Sequence, residues 1–230
     1  MSSLLVSEMF YSIQGEGRYA GTPAVFLRLQ HCNLLCEWPC DTIDVWRQGS
    51  QYTMHDLQQY FQENEWNCLL ESGHAHLVIT GGEPLLQRDS LEEFVMMYGR
   101  SVIEIETNAT ILPSIKMDRN IRQYNLSPKL SNSGIPKEKR YKPRVVEYFA
   151  STSKTDFKFV VTQEKDIEEI MTDFVTPFSI LNDHVFLMPA STTREELEQL
   201  SPMVIEMCKA TGFRFSSRLQ LVVYDKKTGV

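Results

Sequence analysis

Short apolar runs alternate with longer amphipathic ones along this chain, and the alternation predicts strands and helices in turn. The first firm strand is 24–30 (AVFLRLQ). Residues 53–66 predict a helix, with Thr53 at the N-cap and Asp56 three residues on, the spacing of a capping box. A short β-rich run at 76–80 (HLVIT) is followed by a helix over 90–99, with Ser90 and Glu93 in box positions. Further strands are expected at 101–106 (SVIEIE) and, more weakly, at 121–126. A short helix at 145–150, a strand at 157–161, a helix at 165–174 and a strand at 185–188 continue the series. The longest helix is predicted over 193–211, with Glu195, Glu196 and Glu198 near its positive end. Residues 218–224 (RLQLVVY) read as a closing strand.

Strands alternating with helices imply right-handed parallel βαβ units, which form either a doubly wound sheet or a barrel. Polar motifs follow strand after strand: the cysteine loop, Gly81-Gly82-Glu83-Pro84, Thr107-Asn108, Ser127-Pro128-Lys129 and Met188-Pro189-Ala190-Ser191. A (β/α) barrel collects such residues on one rim, so barrel-like curvature is favoured. About six to seven parallel strands are too few to close an eight-fold barrel, which leaves a partial (β/α) barrel. No repeat, low-complexity tract or linker divides the chain, so one domain over 1–230 is expected.

Charge and cysteine usage narrow the chemistry. A formal net charge of −7 argues against broad nucleic-acid binding, which calls for a basic face. No apolar run approaches the roughly 20 residues that span a bilayer, and the first residues lack the basic and apolar regions of an export signal. Five cysteines, three of them within nine positions, make a poor disulfide framework and fit a reducing cytoplasm with a metal or cluster site. Cys68 and Cys208 read as bystanders.

Cys32, Cys36 and Cys40 follow the first strand in a C-x3-C-x3-C loop. Three thiolates holding a cubane [4Fe–4S] cluster leave one iron without a protein ligand, open to a small molecule. Zinc, with His31 or another histidine as fourth ligand, is the rival reading, although no CxxC knuckle is present. Three buried thiols without a metal are the third. The Gly81-Gly82-Glu83-Pro84 run has an ordinary reading too, as a strand-to-helix turn with Pro84 at the first helical position. Glu106 and Thr107 can simply end a strand, and Lys129 can be a solvated charge.

Residues 11–17 (YSIQGEG), Gly21-Thr22-Pro23, Phe26, Arg28-Leu29, Cys32-Asn33-Leu34 and Cys40-Asp41-Thr42 resemble the start of the 7-carboxy-7-deazaguanine synthase family, within the radical S-adenosylmethionine (SAM) superfamily. The resemblance resumes at residues 80–85 (TGGEPL), 106–108 (ETN), 127–129 (SPK) and 158–160 (KFV), and so covers nearly the whole chain. The cysteine loop indicates only the superfamily; the Gln-Gly-Glu-Gly block indicates the family. Two departures stand out. The superfamily's usual spacing is C-x3-C-x2-C, so Pro39 is an extra residue here, and the family's glycine before the first cysteine is replaced by His31.

The resemblance implies a lyase that converts 6-carboxy-5,6,7,8-tetrahydropterin to 7-carboxy-7-deazaguanine by radical ring contraction with loss of ammonia, in queuosine-type biosynthesis. It implies SAM bound at the open iron and lined by Gly81, Gly82, Glu83, Glu106, Thr107, Ser127, Pro128, Lys129, Met188, Pro189, Ala190 and Ser191. Ile13, Gln14, Gly15, Glu16, Arg28 and Thr80 would contact the pterin. Arg28 is the natural fork for its carboxylate, with a structural salt bridge as the alternative. Thr42 and Asp41 would hold Mg²⁺, with capping of the next turn as their ordinary role. A homodimer and a one-electron donor such as a flavodoxin or ferredoxin are also implied. The competing functions are a radical SAM activase acting on a partner protein, which the Gln14–Gly17 block argues against, and a zinc-stabilised binding module.

Overall fold

The computed structural model describes residues 2–37, 43–227 and 229. Among the described residues, nine strands form one sheet: β1 (Ser3–Ile13), β2 (Pro23–Leu29), β3 (Ser50–Thr53), β4 (His76–Gly81), β5 (Ile103–Thr107), β6 (Gln123–Leu126), β7 (Thr155–Val161), β8 (Val185–Pro189) and β9 (Arg214–Phe215). Their order is β3-β1-β2-β4-β5-β6-β7-β8-β9. β1 runs antiparallel to both β2 and β3, and the seven strands from β2 to β9 are mutually parallel. This open, mostly parallel sheet is the expected partial barrel.

Alternation along each strand divides the sheet into two chemically different faces. One face carries Leu27, Ile79, Ile105, Leu126, Phe159 and Leu187, all fully buried against the helices in the main core. Each such side chain contributes about 1.5–3 kcal/mol through burial. The other face is largely polar. It presents Arg28, Thr80, Glu104, Glu106, Asn125, Asp156 and Lys158 on neighbouring strands, with a small apolar cluster of Ala24, Phe26, Val78 and Phe10 beside them. Buried charge is costly unless paired, so the partners of these groups govern the interior of the barrel.

The helices cover the apolar face, as their patterns require. Thr53 forms the predicted capping box with Asp56, but the helix Met54–Glu63 stops before Glu65, whose left-handed φ of 60° starts a second helix, Trp66–Glu71. The helix predicted over 90–99 is Arg88–Met97, and its Ser90/Glu93 box does not form. Glu83 instead caps a preceding 3-10 turn, Pro84–Gln87, by accepting from the Leu85 N–H, so the helix begins earlier and Ser90 lies inside it. The 165–174 helix is irregular, passing from Asp166–Glu169 into a π-type stretch at Ile170–Val175 that turns Ile170, Phe174 and Val175 to the core. Helix Arg194–Thr211 is capped by the Thr193 hydroxyl on the Glu196 N–H. No helix of the described residues is long and apolar enough to cross a membrane.

One expectation is corrected. Residues 218–224 are not a strand: Leu219–Tyr224 is helical, and the last strand is the two-residue β9. Tertiary contacts override the β-branched local bias, since Arg218 bonds to Ser191 and Glu16 and the Leu219 N–H bonds to the Gly15 carbonyl at 3.0 Å. β1 and β3 carried no prediction at all. The register of β1 with β2, from Ile13 opposite Pro23, and of β2 with β4, from Ala24 beside His76, puts the β1–β2 turn at the N-terminal end of the parallel strands. The turn meets the C-terminal segment, where the Gly17 N–H donates to Ser216 Oγ at 3.0 Å, and together they bridge the two ends of the sheet.

Candidate active site

At the C-terminal rim the chain leaves β2 and turns into the cysteine loop, and the end of β4 is packed directly against that turn. The Gly82 N–H donates to the Leu29 carbonyl at 3.3 Å and the Glu83 N–H to the His31 carbonyl at 2.8 Å. A β-carbon on Gly81 would strike the Leu29 backbone, and one on Gly82 would strike the His31 carbonyl and lie 2.8 Å from the Cys32 β-carbon. The glycine pair is therefore required by the approach of β4 to the cysteine loop, before any ligand is considered. His31 carries a φ of +70°, which explains why glycine suits this position.

Glu83 is fully buried and its carboxylate is occupied by the protein itself. It accepts from Thr107 Oγ1 at 2.8 Å, from the Asn108 N–H at 2.7 Å and from the Leu85 N–H at 2.9 Å. Burial pushes its carboxyl above the ordinary range despite these donors. Glu83 thus ties the end of β4 to the end of β5. A ring of bonds then ties β5 to the cysteine loop: Asn108 Nδ2 to Asn33 Oδ1 at 2.9 Å, Asn33 Nδ2 to Thr110 Oγ1 at 2.8 Å, and Thr110 Oγ1 to Asn108 Oδ1 at 2.6 Å.

Cys32 and Cys36 are both half-buried on this loop. Burial pushes the Cys32 thiol up, while the Leu34 N–H, 3.4 Å from Sγ, and the charge of Lys129 act to lower it. Cys40, Asp41 and Thr42 lie outside the described residues, and among the described residues no three His, Cys, Asp or Glu side chains gather as a metal site. Elsewhere on the rim, Lys129 donates to Ser127 Oγ at 3.0 Å beside the buried Pro128. Met188 and Pro189 are buried at the end of β8, the Ala190 N–H bonds to the Val161 carbonyl, and the Ser191 carbonyl receives Arg218.

Of the pterin-contact candidates, Arg28 and Thr80 stand near the C-terminal ends of β2 and β4, whereas residues 13–16 approach from the opposite end. The turn after β1 folds up into the barrel and forms its floor. Gln14 Nε2 donates to Glu106 at 3.2 Å, and Thr80 Oγ1 donates to the other Glu106 oxygen at 2.8 Å. Glu16 receives Lys158, Arg218 Nε at 3.0 Å and Gln220 Nε2 at 2.7 Å. Burial alone would raise the Glu16 carboxyl, but Lys158 and Arg218 outweigh it and hold the group far below the usual carboxylate range. Lys158 is raised for the reciprocal reason: Glu16 and Glu106 outweigh its burial. Beneath this layer the floor is closed by Arg18 on Asp156, at 2.7 and 2.6 Å, and by Tyr19 edge-on to His76, which lies 2.6 Å from Glu104. Gly15 sits under Gln220, whose side-chain amide a β-carbon there would displace. Ile13 is turned outward and exposed, and Arg28 pairs through Nε with Glu8 at 2.7 Å.

Several residues that build this site were not singled out from the sequence. Glu104, Asn125, Asp156 and Lys158 fall at every second position of β5, β6 and β7, in IEIET, QYNL and TDFKF. That period-2 polarity inside buried strands is the signal that would have found them. Arg218 and Gln220 carried no local signal, because only the tertiary fold brings residues 218–220 to Glu16.

Two cysteines and clustered polar motifs at the C-terminal rim of a partial parallel barrel, above a polar interior, have the arrangement of a radical-SAM-type enzyme barrel. No protein-family model matches the chain. It is 35% identical to the 7-carboxy-7-deazaguanine synthase of Pyrobaculum aerophilum, over 97% of this chain and 96% of that one. The synthases of Rhodopirellula baltica and Thermoplasma acidophilum are 35% and 34% identical, each over 99% of this chain and over 89% and 100% of their own. The crystal structure of QueE from Escherichia coli superposes with a TM-score of 0.64 at 25% identity, covering 94% of this chain and 93% of that one. The chain belongs to the 7-carboxy-7-deazaguanine synthase family.

Proposed function

We propose that this protein is a radical SAM lyase that contracts the ring of 6-carboxy-5,6,7,8-tetrahydropterin to 7-carboxy-7-deazaguanine with loss of ammonia. The observation that carries the reading is the meeting of three loops at the rim. The cysteine loop, the Gly81-Gly82-Glu83 turn and the Thr107-Asn108 turn are bonded into one unit above the polar interior.

The residues fit the cofactors. Gly82 leaves Cys32 a cradle that a β-carbon would fill, and thiolates with N–H donors nearby suit an iron–sulfur cluster. Cys32, Cys36 and Cys40 would hold the cluster, and Gly81, Gly82, Thr107, Ser127, Lys129 and the 188–191 stretch would line SAM. Bound there, cluster and SAM supply a reductively generated radical that removes hydrogen from the substrate. The protein's own task is to hold the pterin within reach and keep water out. Glu106, Gln14 and Thr80 offer a bonded set of acceptors and donors for ring N–H and carbonyl groups. Asn125 Oδ1 is buried with no donor among the described residues, which leaves an acceptor in the interior. Arg28 uses Nε for Glu8; its guanidinium carries further N–H donors for the substrate carboxylate. Asp41 and Thr42 would place Mg²⁺ against that carboxylate, a role suited to an ion that keeps several waters. A homodimer in the cytoplasm, reduced by a one-electron carrier such as a flavodoxin or ferredoxin, completes the proposal.

Anaerobic reconstitution followed by incubation with SAM, a reductant and the carboxylated tetrahydropterin tests it. Brown protein that forms 7-carboxy-7-deazaguanine is the expected result. Protein that binds zinc, shows no broad visible absorption and does not cleave SAM overturns the reading.

A further inference from the structure

We propose that Asn108 is a positioning residue for the cluster, its side-chain amide donating to the Cys32 thiolate and raising the cluster's reduction potential. The inference rests on Cys32 being a cluster ligand. The amide orientation follows from its partners. Asn108 Oδ1 accepts from the Thr110 N–H at 3.1 Å and from Thr110 Oγ1 at 2.6 Å, and a backbone N–H can only donate. Nδ2 must therefore face the other way. There it meets Asn33 Oδ1 at 2.9 Å and Cys32 Sγ at 4.0 Å. Asn33 takes one of the two amide hydrogens, leaving the second for the sulfur.

This amide has little freedom to turn elsewhere. Asn108 is 5% exposed, and its backbone N–H is bonded to the buried Glu83. A thiolate is a stronger acceptor than a thiol, because a charged partner shortens and strengthens such bonds. When the cluster gains one electron from its low-potential carrier, no bond breaks and its charge becomes one unit more negative. An N–H directed at a ligating sulfur stabilises that reduced state more than the oxidised one, which moves the potential upward. The Leu34 N–H is the companion donor on the same sulfur.

The rival account is mechanical, with the Asn33–Asn108–Thr110 ring merely clamping the loop. An EPR-monitored redox titration of the reconstituted full chain without SAM separates the two. Asn33→Ala opens the ring but keeps the amide, and its midpoint should match the wild type. Asn108→Ala should move the midpoint negative by about tenfold in the reduction equilibrium, or 59 mV for one electron. Asn108→Asp keeps the acceptor for Thr110 and replaces the donor with an anion, so it should shift at least as far and serves if the alanine variant loses its cluster. An unshifted Asn108 variant, or an equal shift in Asn33→Ala, overturns the proposal. So does loss of the cluster from both Asn108 variants while Asn33→Ala retains it. A wild type that never takes up a cluster instead removes the functional reading beneath it.

Discussion

Glu16→Gln probes the electrostatics of the floor. Glutamine preserves shape and one acceptor, but it removes the anion shared by Lys158 and Arg218, whose side chains are only 8% and 7% exposed. Breaking a buried ion pair from one side costs about 3–5 kcal/mol, because the remaining charge is left uncompensated. Glu106 and Glu104 also act on Lys158, which places the expected loss near the lower bound, about 3 kcal/mol. In a chain of this size each kcal/mol moves the melting temperature by about 2–4 °C, so a fall of about 6–12 °C is expected. The pH dependence gives an independent check. The folded Glu16 carboxyl is held far below its ordinary value of 4.5. Its contribution is therefore fully present above pH 4.5 and is lost as pH falls toward the folded value. The stability gap between wild type and Glu16→Gln, measured by urea unfolding, should be constant from pH 8 to about 6 and narrow below 4.5. A gap under about 1 kcal/mol at pH 7, or one that does not narrow in acid, refutes this account of the floor.

Three further substitutions test the rim. His31→Gly relieves a left-handed backbone that costs an ordinary residue about 1–2 kcal/mol, partly offset by the entropy of glycine. It should raise stability by about 0.5–1 kcal/mol in thermal unfolding, and a lower melting temperature would show that His31 earns its place through a contact. Gly82→Ala should displace the cysteine loop at a cost of about 1–3 kcal/mol and reduce bound iron after reconstitution; wild-type iron content would contradict the close-approach argument. Thr107→Val removes a hydroxyl donor from the buried Glu83 and should cost about 1–3 kcal/mol, whereas Thr107→Ser should cost little. Because burial raises the Glu83 carboxyl, its contribution is greatest below 4.5 and declines as pH rises through the folded value. The Thr107→Val defect should therefore be larger at pH 8 than at pH 4, and a pH-independent defect would count against it.

What the sequence made legible follows from which contacts are local. The strands of the apolar face announce themselves as runs such as HLVIT, since both their hydrophobicity and their β-branching are written in adjacent residues. The Thr53 cap is legible because Thr53 and its partner Asp56 are three residues apart. The helix start at Arg88 is not, because Glu83 and Pro84 redirect it from outside the helix. Residues 218–224 fail for a related reason: their β-rich composition is opposed by bonds to Gly15, Glu16 and Ser191, about 200 residues away for the first two. The polar motifs point to the rim, yet reading them strand by strand hides that Gln14 and Glu16 enter from the other end. That placement depends on the antiparallel β1, which a period-2 scan of a half-buried strand barely registers. The consequence is physical. A floor that is continuous in sequence with β1, and sealed by Arg218 and Gln220, couples the pterin-contact candidates to the last helix. The rim is coupled instead through Glu83 and Asn108 to the cysteine loop. Substitutions in the floor should therefore change substrate affinity before cluster properties, and substitutions in the rim should do the reverse.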